Sequence, residues 1–302
     1  MKVIITGSSG FVGQNLSAYL KNNAVDISSI SLRNTSWNTT IAKDAYAIIH
    51  LAGKAHDTAN TSSEKEYFEI NRDLTIELFQ EFLKSEIKDF FFFSSVKATA
   101  DTIEGVLDEK NHISDPKTPY GKSKLEAEEY LLKQQLPEGK RLFIIRPCMI
   151  HGPGNKGNLN LLYKIVEKGI PWPLAAFENK RSFLSIDNLS FLILEMLKNS
   201  TISSGIYNFA DDKSLSTNEL VTLIANASGK KAKLWNISNK MISNVAKIGD
   251  KIKLPLNSER LKKLTESYEV SNQKIKTALG IKALPLTAEQ GLIKTIQSFK
   301  NK

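Results

Sequence analysis

The stretch KVIITGSSGFVG, residues 2–13, decides the fold of this chain. Its first half is a short β-branched apolar run, which predicts a strand buried on both faces. Gly7, Gly10 and Gly13 then follow at a spacing of three, and from Phe11 to Leu20 apolar residues return at helical spacing. Residues 25–32 predict a second strand, so the start of the chain forms a βαβ unit.

The alternation of strands and helices continues as far as Pro147. Strands are predicted at 45–51, 89–94 and 142–146, and helices at 66–83 and 120–134. This pattern predicts an α/β fold in residues 1–150, a doubly wound parallel sheet with helices on both faces. Residues 151–302 predict a smaller, mostly helical lobe.

Composition excludes several classes of protein. The 302 residues are 24% charged and 41% hydrophobic, which is typical of a globular chain, and no apolar run has the length of a membrane span. The single cysteine, Cys148, cannot form an internal disulfide, so a reducing, cytoplasmic setting is expected. No metal-binding motif is predicted.

The charge is unevenly distributed. Residues 1–150 carry 18 basic and 20 acidic side chains, whereas residues 151–302 carry 23 and 12. The surplus of +9 therefore belongs to the second half, which indicates that this half faces something anionic, such as a phosphorylated substrate, nucleic acid or a membrane surface.

The glycine turn predicts a phosphate site, because it lies where the first strand leads into the first helix. Glycine allows backbone amides and the helix N-terminus to approach a pyrophosphate closely. The cofactor contacts expected here are Gly7, Ser9, Gly10, Phe11, Val12 and Gly13. At the end of the second strand, Ser31 and Arg33 stand where an acidic residue would hold a ribose, and they favour NADP over NAD. The alternative is that Arg33 is a solvated loop residue.

A candidate catalytic set lies farther along the chain. Tyr120 and Lys124 are four residues apart at the start of a helix, so one helical face presents both, and the ammonium is expected to lower the pKa of the phenol. Ser94 and Ser95 end a buried strand, where a hydroxyl can bind a substrate oxygen beside the phenol. Together these groups can move a proton at a sugar hydroxyl or ketone while a nicotinamide carries the hydride.

With these motifs the sequence resembles the extended short-chain dehydrogenases/reductases that act on nucleotide sugars. The resemblance implies a Rossmann-type dinucleotide-binding domain at 1–150 and a substrate-binding lobe at 151–302, from which a segment at about 183–212 returns to the first domain. The resemblance runs through Thr6 to Gly13, His50 to Gly53, Ser94-Ser95, Tyr120 to Lys124, Arg146 to Gly154 and Arg181 to Asp187. It implies that Ser95 is the catalytic serine, Tyr120 the acid/base, and Lys124 also a ligand of the nicotinamide ribose. Further cofactor contacts implied by it are Leu51, Ala52, Gly53, Ser94, Pro147 and Ile150. Asn158 and Leu159 would bind the substrate diphosphate, and Arg181 would clamp it.

The resemblance is closest to bacterial epimerases and 4-ketoreductases of surface polysaccharide biosynthesis. It implies an oxidoreductase acting at C4 of a UDP-hexose or UDP-N-acetylhexosamine derivative, and a homodimer built through helices 66–83 and 120–134. An alternative from another class is a non-catalytic, NADP-sensing binding protein. The interval between Arg33 and Ala45 is short, so the strand that usually comes third is expected to be abbreviated or absent.

A basic stretch at 229–263 is not accounted for by these motifs. It contains ten Lys or Arg but only Asp250 and Glu259 as acids, and its apolar residues from Ile237 to Ile252 have helical spacing. An amphipathic helix of this kind can lie on anionic lipid or can simply cover its own core. Aromatic residues other than Trp235 are missing there, so a nucleic-acid partner is not expected.

Overall fold

A computed structural model of the chain describes residues 1–34, 36–54, 63–155, 158–252 and 257–300. Its centre is a six-stranded sheet formed by β1 (Lys2–Thr6), β2 (Asp26–Ile30), β3 (Ala47–His50), β4 (Asp89–Phe93), β6 (Arg141–Pro147) and β9 (Gly205–Phe209). The strands lie in the order β2-β1-β3-β4-β6-β9, and every neighbouring pair is parallel.

Helices cover both faces of this sheet, because its central strands are apolar on both sides. Val3 and Ile5 pack on one face with α1 (Phe11–Asn22) and α6 (Ile186–Lys198). Ile4, Phe90 and Phe92 pack on the other with α3 (Leu74–Lys84) and α4 (Pro119–Leu132). The predicted doubly wound parallel sheet is confirmed.

The interval between β2 and β3 is short. Its regular structure in the described residues is one 3-10 turn at Trp37–Thr40, and no strand is found there among those residues. Trp37 is buried in the core on the α3 side of the sheet. The described residues of this interval agree with the expectation that the usual third strand is abbreviated or absent.

The helix predicted at 66–83 is not continuous. It consists of α2 (Glu64–Phe68), a π-helical turn at Glu69–Asp73, and α3. The Ser63 hydroxyl caps α2 by accepting from the amide of Glu66 at 3.4 Å. The wider turn buries Asn71, and such turns are frequent at functional sites.

Residues beyond Pro147 form a largely helical region with its own apolar core. That core is supplied by α5 (Asn158–Glu167), α7 (Thr217–Ala227), α8 (Asn239–Ile252), α9 (Ser258–Thr265) and α11 (Ala288–Lys300). A small parallel pair joins it to the sheet domain, in which β5 (Val106–Leu107) pairs with β10 (Glu269–Val270). Within the region, β7 (Met149–His151) pairs with β8 (Phe183–Ser185). A further helix, α10 (Gln273–Leu279), packs against the core on the α1 side of the sheet through Ile275.

Two elements of this region belong physically to the sheet: α6 packs on one of its faces and β9 forms its edge beside β6. Across the described residues, none of the helices is both long enough and apolar enough to cross a bilayer.

Candidate functional site

The glycine turn joins β1 to α1 and has no space for side chains at two positions. Gly7 has a φ of +69°, and a Cβ there would lie 2.7 Å from the amide nitrogen of Ala52. A Cβ on Gly13 would lie 2.3 Å from the carbonyl oxygen of Gly7. Ser9 and Gly10 are exposed, and α1 begins directly after them. The first amides of α1 therefore open on a cradle that suits a pyrophosphate.

A chain of hydrogen bonds links this turn to the π-helical turn. The Ala52 amide donates to Thr6 Oγ1 at 3.2 Å, and Thr6 Oγ1 lies 2.7 Å from His50 Nδ1. On the other side of the ring, His50 Nε2 lies 2.9 Å from Thr75 Oγ1, which donates to the Asn71 carbonyl at 2.8 Å.

These partners determine the state of the imidazole. Since the Thr75 hydroxyl proton is already donated, Thr75 must accept from His50, which places the imidazole proton on Nε2. Thr6 then donates to Nδ1. Burial, followed by the nearby Lys124 charge, lowers the pKa of His50 to about 3, so the ring is neutral. His50 is therefore a fixed structural link and is not placed to exchange protons.

Asn71 is the main site residue that the sequence analysis missed. Its Oδ1 accepts from the Lys54 amide at 2.7 Å, and its Nδ2 donates to the Lys54 carbonyl and to Ser123 Oγ, each at 3.1 Å. Through Asn71, these contacts connect the segment after β3, at Lys54, to Ser123 of α4. A Cβ added to Gly53 would lie 3.0 Å from Asn71 Oδ1 and 3.2 Å from Lys124 Nζ, so the three residues meet at one point. A polar residue at a core-facing helical position between Tyr67 and Leu74 was the signal available.

The predicted cofactor residues lie at one edge of the sheet. Ser31 and Arg33 are exposed just beyond β2, and Leu51 to Gly53 follow β3. Pro147 ends β6, and Ile150 lies on β7 directly after it. Because all six strands are parallel, their carboxyl ends share this edge with the glycine turn, which is where ligands bind in such sheets.

Lys124 lies at the centre of this edge and is buried. Its Nζ donates to the carbonyl oxygen of Phe93 at 2.8 Å and lies 4.9 Å from the centre of the Phe92 ring. Burial lowers the pKa of Lys124 to about 8, although the Glu128 carboxylate acts in the opposite direction. The ammonium is therefore a buried charge that gives up its proton far more readily than an exposed lysine.

Tyr120 precedes Lys124 by one turn of α4, whose first residue, Pro119, follows the capping Thr118. Its hydroxyl is hydrogen-bonded to the side chain of Ser95, which also accepts from the Lys97 amide at 3.2 Å. The expectation of a lowered phenol pKa is wrong for this structure. Burial raises the pKa of Tyr120, and the charge interaction with the Tyr67 phenol raises it further, whereas the Ser95 hydrogen bond lowers it. The structure thus joins Ser95 to Tyr120, with Lys124 beside them.

The two adjacent serines are used differently. Ser94 donates to the carboxylate of Glu128, which is buried and also binds Arg146. Arg146 Nε lies 3.0 Å from Glu128 Oε1, and Arg146 Nη1 donates to Thr99 Oγ1 at 2.8 Å. Ser94 is thus engaged in a buried polar network beneath the site, whereas Ser95 faces the tyrosine.

Leu159 and Arg181, which were predicted to bind the substrate diphosphate, are engaged with other parts of the protein in this structure. The side chain of Leu159 packs in the core of the helical region. The group of Leu159 that can bind a phosphate is therefore its backbone amide, which lies in the first turn of α5. The side chain of Asn158 lies outside the described residues. The Arg181 guanidinium donates to the backbone carbonyls of Lys263 and Glu266 near the end of α9, with Nε 2.9 Å from the Glu266 oxygen. Burial lowers its pKa.

Tyr268 connects the Arg181 segment to the loop after Ser95. Its hydroxyl lies 2.8 Å from the carbonyl oxygen of Ala100 and 3.1 Å from that of Val96. Its backbone amide donates to the Lys180 carbonyl at 2.8 Å, and Lys97 Nζ lies 4.2 Å from the centre of its ring. Tyr268 therefore fixes the loop after Ser95 against the segment that contains Arg181.

A glycine cradle at the first strand-to-helix junction of a parallel sheet, with tyrosine and lysine at the same edge, defines a dinucleotide-binding fold of the short-chain dehydrogenase type. Comparison with known families agrees: residues 3–210 match the NAD dependent epimerase/dehydratase family. The chain belongs to this family.

Individual relatives are similar along most of the chain. The UDP-glucose 4-epimerase of Vibrio cholerae is 30% identical over 98% of this chain and 95% of its own length. The N-acetyl-alpha-D-glucosaminyl-diphospho-ditrans,octacis-undecaprenol 4-epimerase of Escherichia coli O157:H7 is 29% identical over 83% of this chain and 76% of its own. The solved UDP-N-acetylglucosamine 4-epimerase of Bacillus cereus has the same fold, with a TM-score of 0.77 at 20% identity and complete coverage of both chains.

Proposed function

We propose that this protein is a nucleotide-sugar oxidoreductase that works at C4 of a UDP-hexose or UDP-N-acetylhexosamine derivative, as a 4-epimerase or a 4-ketoreductase. The observation that carries the proposal is the hydrogen bond between Ser95 and Tyr120 beside the buried Lys124 ammonium. The 4-epimerase activities of the V. cholerae and E. coli relatives support the choice of C4.

The roles of the three residues follow from their chemistry. A bound nicotinamide supplies or accepts the hydride at C4. In the reducing direction, Tyr120 donates its proton to the C4 oxygen while Ser95 hydrogen-bonds that oxygen, and oxidation is the reverse. Lys124, buried one helical turn after Tyr120, binds the ribose of the cofactor. The polar residues of the network at Glu128 hold Ser94 away from the substrate, leaving Ser95 as the catalytic hydroxyl.

We propose NAD or NADP as the cofactor, with NADP slightly favoured. The Gly7 and Gly13 cradle, where a side chain would collide with the backbone, fits the pyrophosphate of either. Exposed Ser31 and Arg33 beyond β2 provide a hydroxyl and a guanidinium for a 2′-phosphate. Residues 1–150, with 183–212, are proposed as the cofactor-binding unit, and the rest of 151–302 as the substrate lobe.

The assembly and setting are also proposals. The homodimer is proposed to form through the helical segments 66–83 and 120–134, which contain α2, α3 and α4. The buried free thiol of Cys148 suits the reducing cytoplasm. Asn158, Leu159 and Arg181 are proposed to bind the diphosphate, which requires Arg181 to exchange its present carbonyl partners for phosphate oxygens.

A second candidate substrate is a polyprenol-linked N-acetylhexosamine diphosphate, as named for the E. coli relative. The observation in its favour is a row of exposed apolar side chains on α8, at Met241, Val245, Ile248 and Ile252. Such a surface suits an enzyme whose substrate is held in a membrane.

The test is turnover by the purified protein. With NAD or NADPH present, it is offered UDP-glucose, UDP-N-acetylglucosamine, their 4-keto derivatives and polyprenyl-diphospho-N-acetylglucosamine, and products are identified by chromatography and mass spectrometry. Conversion at C4 supports the proposal, and the substrate converted selects between the candidates. Tightly retained NAD would favour the epimerase, since epimerisation returns the hydride. Cofactor binding without conversion of any of these substrates would instead indicate the NADP-sensing binding protein.

A further inference from the structure

Exposed apolar side chains are concentrated around α8. Of the fifteen large hydrophobic side chains that are exposed in the described residues, six lie within residues 234–252: Leu234, Trp235, Met241, Val245, Ile248 and Ile252. The last four have the spacing i, i+4, i+7 and i+11, so they form one row along α8. That row is about 16 Å long at the rise of an α-helix.

This row is distinct from the stripe that packs α8 onto the protein. Ile242, Ala246 and Gly249 are buried, and the first two belong to the core of the helical region. At 100° per residue, the exposed row is centred about 90° around the helix from the buried stripe. The helix therefore already has its core contacts, and the exposed row is additional apolar surface.

Three lysines flank the exposed row on the side away from the core. Lys240, Lys247 and Lys251 are exposed, and in the described part of the chain none of them has an ion-pair partner. The neighbouring acid, Asp250, is engaged by Ser258, whose amide and hydroxyl donate to it at 2.9 and 2.6 Å. The outer surface of α8 is therefore apolar along one side and positively charged along the next.

We infer that α8 is a docking surface for an anionic lipid bilayer. Helices that lie in a membrane interface place an apolar row among the acyl chains and lysines among the headgroups, and both groups are present here. Charge decides against a second copy of this chain, because two such faces would bring their lysine rows together. The inference concerns only where the protein binds and is independent of the reaction proposed above.

Vesicle co-sedimentation of the full-length protein tests the inference. The wild type is expected to bind phosphatidylglycerol-containing vesicles at low salt, to bind pure phosphatidylcholine vesicles far more weakly, and to be released as salt rises. A lysine near an anionic surface contributes roughly fivefold to partitioning, so Lys240→Gln, Lys247→Gln and Lys251→Gln together should lower binding on the order of 100-fold. Val245→Gln with Ile248→Gln should also weaken binding, and this loss should persist at low salt.

Matched control variants distinguish binding through α8 from binding through the overall charge of +9. Lys21, Lys43 and Lys88 are exposed lysines of the sheet domain, and their replacement by Gln removes the same charge elsewhere. The apolar control is Ile113→Gln, because the side chain of Ile113 is 94% exposed and lies outside α8. Both controls should bind as the wild type does. Failure of the wild type to bind anionic vesicles, or equal losses in the control and α8 variants, would overturn the inference. So would an α8 variant that dissociates a dimer in sedimentation, since α8 would then join two copies.

Discussion

Lys124 Nζ donates a hydrogen bond to the carbonyl oxygen of Phe93 at 2.8 Å, inside a site where burial lowers the lysine pKa from 10.5 to about 8. Between these two values the unfolded chain binds a proton that the folded chain has released. The free energy of unfolding that depends on Lys124 should therefore rise with pH from about 8 to 10.5 and be lower below pH 8.

Chemical denaturation of the wild type and Lys124→Met at a series of pH values between 7 and 10.5 checks this pH dependence. Met cannot titrate, and the other groups cancel in the difference between the two proteins. We expect the wild type to gain up to about 3 kcal/mol relative to Lys124→Met across this range. A difference that stays constant with pH would contradict the assigned cause.

Tyr120→Phe removes the phenol oxygen but keeps the ring. We expect turnover at C4 to fall by roughly 100-fold to 10,000-fold, because Tyr120 is the proton donor and acceptor of the proposed reaction. Cofactor affinity, measured by fluorescence titration, should stay within a factor of about two or three, since the phosphate cradle is untouched. Tyr130→Phe is the matched control on the same helix, where the hydroxyl accepts from Gln80 instead. Retained activity in Tyr120→Phe would refute the role given to Tyr120.

Arg33→Ala tests the cofactor preference. If Arg33 binds a 2′-phosphate, the variant should lose roughly 10- to 100-fold in NADPH affinity and keep its NADH affinity, as expected for a hydrogen bond to a charged group. Lys43→Ala, which removes another exposed charge before β3, should change neither. Calorimetric titration with both nucleotides measures the two affinities. Equal losses of NADPH and NADH affinity would mean that Arg33 does not bind the 2′-phosphate.

Glu128→Gln should destabilise the protein strongly. The carboxylate is buried and binds both Arg146 and Ser94, so its removal leaves a buried guanidinium without its counter-charge. We expect a loss of about 3–5 kcal/mol in the free energy of unfolding. Glu129→Gln, on the exposed side of the same helix, should change it by less than about 0.5 kcal/mol. Urea denaturation compares them, and similar values for the two variants would show that the network adds no stability.

Much of the architecture was predictable because it depends on local pattern. The β-branched run before Gly7 and the phenylalanines of β4 are buried on both faces of the sheet, and a short continuous apolar run is the sequence pattern of such a strand. The missing third strand followed from chain length alone, since too few residues separate Arg33 from Ala45. The glycine turn was equally predictable, because only glycine fits at position 13, where a Cβ would lie 2.3 Å from the carbonyl oxygen of Gly7.

What could not be predicted depends on contacts between distant segments. The π-helical turn arises where Asn71 binds both Lys54 and Ser123, which the helical pattern of 66–83 does not reveal. Residue spacing suggested that Lys124 lowers the Tyr120 pKa, but spacing carries no information about burial, which raises it. Likewise, no sequence pattern shows that Arg181 reaches the carbonyls near the end of α9.

The family match ends at residue 210, yet Tyr268 secures the loop after Ser95 through Val96 and Ala100. A truncated protein that stops where the family match ends would contain Ser95, Tyr120 and Lys124 but would lack the residue that fixes the loop beside them. The part of the chain that shapes the proposed catalytic site is thus longer than the part that matches the family. Anyone shortening this chain for engineering should treat the segment around Tyr268 as part of the enzyme's core and not as a dispensable tail.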